Sequence, residues 1–259
     1  MRRLLGRLLG RPRDTLDDAR WQALVDRLAL VQGLDPDRRE RLRGFTARFL
    51  GDKAITPAAG LTLSQPMRDA IAALCCLPVL EYGYRGLAGW SQLIIYPGSF
   101  RARRSHLDEA TGVVIEGEED LAGEAWEAGP VVLSWDDIAA DLEDPQPGFN
   151  VAIHEIAHKL DLLDGALDGL PPVSGPARLA CARDFQAAFD TLVADLEAGR
   201  EPPIDDYAAS APEEFFAVVT EYHFTAPAHL RAVMPAVAGH LQAFYGPPPR
   251  LTAPAEGAR

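Results

Sequence analysis

The run Asn150–Asp161, NVAIHEIAHKLD, constrains this chain more than any other stretch. Val151, Ile153, Ile156, Ala157 and Leu160 make it apolar enough for a core helix. The same run carries His154, Glu155 and His158, and burying such groups is costly without compensating partners. Residues four apart share one face of a helix, so His154 and His158 can reach one ion together. Imidazole is a good zinc ligand. Glu155 follows the first histidine, where its carboxylate can reach a metal-bound water without being a ligand. That is the position required of a general base. The alternative, a chance HExxH on an exposed helix, does not fit so apolar a frame. The run reads as a zinc site on a core helix.

Two histidines do not complete a catalytic zinc site, which takes a third protein ligand and keeps one position for water. Three acids compete. Asp164 lies six residues after His158, where HExxHxxGxxH/D enzymes place their third ligand. Those enzymes turn the chain with a glycine at the position that is Asp161 here. Without it the helix is expected to run on and carry Asp164 away. The other two are Glu213 and Glu214, in SAPEEFFAVVTE. Ser210-x-x-Glu213 reads as a capping box, which gives Glu213 a structural task. Glu214 is then the best third ligand. Glu221 shares its face and has two readings, a hydrogen-bond partner of a ligand histidine or a solvated charge. Tyr207 also has two. It is a surface packing residue, or a phenol that donates to a developing oxyanion, because its loop leads straight into the ligand helix.

Around this core the chain reads as α+β, predominantly helical, with a small mixed sheet. Residues 14–52 are expected to be helical, with Asp35 as an N-cap and Gly51 as a stop. A second helical unit spans 63–80, with Ser64 as its cap. Strand candidates are 91–96, 112–115 and 131–135, and the acidic stretch 116–127 reads as a loop. Strand 131–135 is expected to form the sheet edge that pairs with an extended peptide. Three further helices are expected at about 150–163, 176–197 and 211–224, and a last one from Pro227 to before Gly246.

The organisation is one metallopeptidase-sized domain over 16–246, between a flexible basic segment, 1–15, and a Pro-rich disordered tail, 247–259. The segment Met1–Arg13 holds five arginines and no acid. Arginine interrupts its apolar stretch and no small-residue cleavage site follows, so it does not read as a signal peptide. A net charge of −13 excludes broad electrostatic binding to nucleic acid. No apolar run reaches the length of a membrane span. Cys75, Cys76 and Cys181 read as buried hydrophobes in a reducing compartment, which places the chain in the cytoplasm.

The sequence resembles the Mlc titration factor A family of bacterial zinc peptidases from about residue 20 to 245. The matching pieces, besides NVAIHEIAHKLDLLDG, are Phe49-Leu50 with Lys53, IAALCCLPVL from Ile71, Tyr96-Pro-Gly-Ser-Phe, Glu124-Ala-Trp with GPVVLSW from Gly129, and YAASAPEEFFAV from Tyr207. The resemblance implies that His154, His158 and Glu214 bind zinc, that Glu155 is the catalytic base and that Tyr207 assists. The Tyr-x6-Glu order is similar to that of lethal-factor-type metalloproteases. A gluzincin fold like the lethal-factor catalytic domain is therefore implied. So is aminopeptidase-like activity on small peptides. The family also implies sequestration of an Mlc-type repressor controlling sugar uptake. That yields the rival reading, a non-catalytic regulatory protein.

Overall fold

The structure, a computed structural model, describes residues 16–98, 100–108, 113–121, 123–125 and 129–251, with backbone alone for 100–125. The basic segment 1–15 and the tail from 252 lie outside the described residues.

The chain opens with α1 (Asp18–Arg27), α2 (Ala29–Gln32) and α3 (Pro36–Asp52). Asp35 caps α3, its carboxylate accepting the Arg38 N–H at 2.9 Å, and Pro36 occupies the first turn. Gly51 lies inside α3 and does not stop it. The chain leaves the helix at Lys53, whose backbone is extended. Lys53 is buried, and its ammonium donates to the carbonyls of Leu87 and Trp90 while lying 3.8 Å above the Trp90 ring. It ties the end of α3 to the segment that enters the sheet.

The next elements are β1 (Ala54–Pro57), α4 (Gln65–Cys76), β2 (Gln92–Tyr96), β3 (Phe100–Asp108), β4 (Val113–Leu121), β5 (Gly123–Ala125) and β6 (Val131–Ser134). One sheet has the order β1-β2-β6-β5. Its first three strands are parallel, and β5 runs antiparallel to β6. The sheet is therefore small and mixed, as expected. Three expectations fail. Strand β6 lies between β2 and β5, so it is not an edge; β5 and β1 are the edges. β1 was not among the candidates. Residues 116–121 of the acidic stretch belong to β4, in a hairpin with β3. The register sets Arg101 opposite Asp120 and Arg103 opposite Glu118.

The chain continues through α5 (Trp135–Glu143), α6 (Val151–Asp161), α7 (Pro176–Glu197), α8 (Pro212–Thr225), α9 (Pro227–Val233) and α10 (Pro235–Tyr245). The expected last helix is two, broken at Met234–Pro235. Proline has no N–H for the ladder of α9, and the residue before it is pushed out of helical geometry, here to φ −136° and ψ 66°. The start of the Pro-rich tail is not loose. Arg38 donates to the Pro247 carbonyl, and the Arg250 N–H donates to Gly33 O at 2.8 Å.

Helix α6 occupies the centre, touching α4, α5, β5, β6 and α8. Its apolar residues are fully buried, as are Cys75 and Cys76 on α4. No helix among the described residues is long and apolar enough to cross a membrane.

Candidate metal centre

Asn150 starts α6. Its side-chain oxygen accepts the Ile153 N–H at 3.1 Å, satisfying one of the free amides of the first turn. One turn on, His154 and His158 point the same way, with their Nε2 atoms 3.1 Å apart. Glu214 arrives from α8. Its Oε2 lies 3.0 Å from His154 Nε2 and 3.3 Å from His158 Nε2. Among the described residues, these three form the one His/Cys/Asp/Glu group able to hold an ion.

The donor set fits a metal. Ligand atoms about 2.0–2.1 Å from a tetrahedral zinc stand roughly 3.3 Å from one another. Two Nε2 atoms and a carboxylate oxygen have that spacing here. His154 Nδ1 lies 2.7 Å from Glu221 Oε1, and a carboxylate accepts, so Nδ1 carries the hydrogen. In its neutral form this tautomer would present a bare Nε2 lone pair, the form that binds a cation. Burial opposes charge on His154, but Glu221 and Glu214 outweigh it and hold its pKa well above the ordinary histidine value. Burial would raise the Glu214 pKa, yet hydrogen bonds from His154 and His158 keep it well below the carboxylate range. Positive charge is what this cluster demands.

Glu221 is nearly inaccessible, so the solvated reading falls and the hydrogen-bonding one stands. Its second oxygen accepts the Asn150 N–H, which ties the start of α6 to α8. Glu155, the next residue of α6 after His154, is buried. Lys159, one turn on, is also buried and donates to Gly129 O at 3.3 Å. Burial lowers the Lys159 pKa, and the charge of Glu155 partly offsets this.

Tyr207 sits in a 3-10 turn, Asp206–Ala209, begun by Asp205, whose carboxylate accepts the Tyr207 N–H at 2.9 Å. Its ring centroid is 6.2 Å from that of His154, and the residue is 43% exposed. The phenol ring thus lies along the histidine face, open to solvent.

The capping box does not form. Ala211 is the N-cap of α8, and the Ser210 hydroxyl donates to Tyr207 O at 2.7 Å. The 3-10 turn immediately before α8 claims Ser210. Glu214 points inward because of its place round the helix, while Glu213 is half-buried beside it. Asp164 does not join the cluster. Helix α6 passes into a 3-10 turn, Leu162–Asp164, and Asp164 pairs with Arg178 at 2.6 Å.

Asp161 and Asp141 are buried acids that the sequence reading does not single out. Asp161, at the end of α6, accepts the N–H groups of Asp168, Gly169 and Leu170. An acid in a helix's last turn opposes the helix dipole, and that misfit was a usable signal. Asp141, on α5, is buried with Oδ2 unpartnered. Burial, then Glu221 and Asp137, raise its pKa to about 7.

A family profile described as glucose-regulated metallo-peptidase M90 matches residues 7–246. This is the class that the helix and its converging donors define. The chain is 37% identical over 230 residues to Mlc titration factor A of Serratia proteamaculans (strain 568), covering 88% of this chain and 86% of the relative. It is 36% identical to Mlc titration factor A of Yersinia pestis (strain Pestoides F), covering 88% and 84%. The chain belongs to the Mlc titration factor A family of M90 metallopeptidases.

Proposed function

We propose that this chain is a zinc-dependent peptidase, aminopeptidase-like on small peptides, with Glu155 as general base. The meeting of His154, His158 and Glu214 beside Glu155 is the observation that supports it. Two imidazoles and one carboxylate suit zinc and leave a fourth position open. A zinc ion held there would lower the pKa of water toward neutrality and polarise a carbonyl. The side chains supply the rest. Glu221 keeps His154 in its Nδ1–H form and fixes its ring. Glu155 takes the proton of the attacking water and passes it to the leaving amine. Tyr207 donates to the carbonyl oxygen as negative charge builds on it. The ligand set is that of a gluzincin, and the Tyr-x6-Glu order suggests kinship in fold with the lethal-factor catalytic domain.

Glu155→Gln tests this. It should bind zinc as the unmodified protein does, while peptide hydrolysis falls about 10²–10⁴-fold. Hydrolysis at the unmodified rate would sink the mechanism.

The name of the relatives favours a second role, binding of an Mlc-type repressor in the cytoplasm. The two roles are compatible. Glu155→Gln separates them in a pull-down with purified repressor. Capture without hydrolysis supports the regulatory role, and no capture by either protein leaves the peptidase alone.

A further inference from the structure

The two histidines stand on α6 and Glu214 on α8, with residues 162–211 between them. Metal–ligand distances tolerate only about 0.2 Å of error. Something must hold the end of α6 and the start of α8 at a set separation.

Asp161 is the last residue of α6, three after His158, and is wholly buried. Its Oδ1 accepts the N–H groups of Asp168 at 3.2 Å and Leu170 at 3.3 Å, and its Oδ2 accepts that of Gly169 at 2.9 Å. Arg178 of α7 clasps the same loop from outside, 2.6 Å from Asp164 and in contact with Asp168. Gly169, at φ +76°, lies against the first turn of α8. A Cβ there would stand 2.3 Å from Pro212 O, 2.5 Å from Pro212 C and 3.1 Å from Glu213 N. That approach is open to glycine alone, on grounds of both conformation and space. The run of contacts from His158 to Glu214 is therefore short. It passes from the Asp161 carboxylate to the Gly169 backbone and on to the backbone of Pro212 and Glu213. Backbone atoms have no rotamers to absorb a shift, so a displacement at one end reaches the other.

We infer that Asp161 and Gly169 are positioning residues that set where Glu214 stands relative to His154 and His158. The inference rests on the reading of Glu214 as third ligand. Neither residue touches the metal or substrate; they act through the helix start that carries Glu214.

The test measures zinc affinity of the full chain by competition with a chromophoric chelator, and thermal unfolding with and without zinc. Gly169→Ala should bind zinc at least about tenfold more weakly, and zinc should raise its Tm less. Asp161→Asn, close in size, should also lose about tenfold, and it serves if Gly169→Ala does not fold. Leu42→Ala, a buried α3 residue remote in sequence, should lower Tm with and without zinc but leave affinity unchanged. The inference is overturned if both brace variants bind zinc normally while Glu214→Ala does not. It is also overturned if Leu42→Ala weakens zinc binding as much as they do. Normal zinc binding by Glu214→Ala would instead remove the third-ligand reading itself.

Discussion

Helices α4 and α6 pack against each other, and both are buried along most of their length. In α4 the run from Ala70 to Cys76 is wholly apolar. Its one buried charge, Asp69, is met within the chain. Arg20 reaches it through Nε at 3.1 Å and Nη2 at 2.6 Å, and Gln65 adds a bond at 3.0 Å. Helix α6 buries Glu155, His158, Lys159 and Asp161 in eleven residues. Protein groups meet part of that set, Gly129 O for Lys159 and loop amides for Asp161, and Glu221 meets the neighbouring His154. Beside these, the Nε2 atoms of both histidines converge with the Glu214 carboxylate oxygen from α8. Complete satisfaction by the chain marks a scaffold. Convergence of electron-rich atoms beyond what the chain can satisfy marks a place for a cation, and hence for chemistry.

If α4 is scaffold alone, Leu74→Ala should cost about 2–5 kcal/mol in denaturant unfolding. Its zinc affinity should match the unmodified protein in a chelator titration. A parallel loss of zinc would erase the division between the two helices. A smaller effect is expected where α6 meets α8. Glu221→Gln makes one acceptor a donor facing His154 Nδ1–H or the Asn150 N–H, so zinc affinity should fall about 10–100-fold by calorimetry. Unchanged affinity would reduce Glu221 to a packing residue.

The smallest effect concerns α5 and depends on pH. Asp141 titrates at about 7 in the folded chain against an ordinary 3.8. Between those values the folded state keeps a proton that the unfolded state has released. The stability contributed by this group is therefore present at low pH and lost as pH rises toward 7. Asp141→Asn should match the unmodified protein near pH 4 and exceed it by about 1–2 kcal/mol at pH 8. An equal difference at both values would mean that Asp141 carries no buried charge.

The helices with strong local signals are legible in the sequence. Helix α7 has the expected bounds, and α6 and α8 differ by a residue or two. Their starts are signalled by Asn150, by Pro176 and by Pro212. Signals that run between elements were weaker. Residues 116–121 pair with β3, and pairing between strands leaves no mark in the acidic composition of the segment itself. Ser210 looked like a helix cap until the preceding turn took its hydroxyl. The inward position of Glu214 follows from helix phase and not from a cap that occupies Glu213.

From residue order alone came the face shared by His154 and His158, the acid beside them and the apolar frame that makes the helix central. Those depend on a period of 3.6 residues and reach only one turn. The tertiary structure decided that Glu214 and not Asp164 meets the histidines, that Glu221 is buried against His154, and that β6 lies inside the sheet. Each of these is a distance between elements separated by tens of residues. Such distances are set by packing and by loop contacts like those of Asp161 and Gly169, for which local periodicity carries no signal.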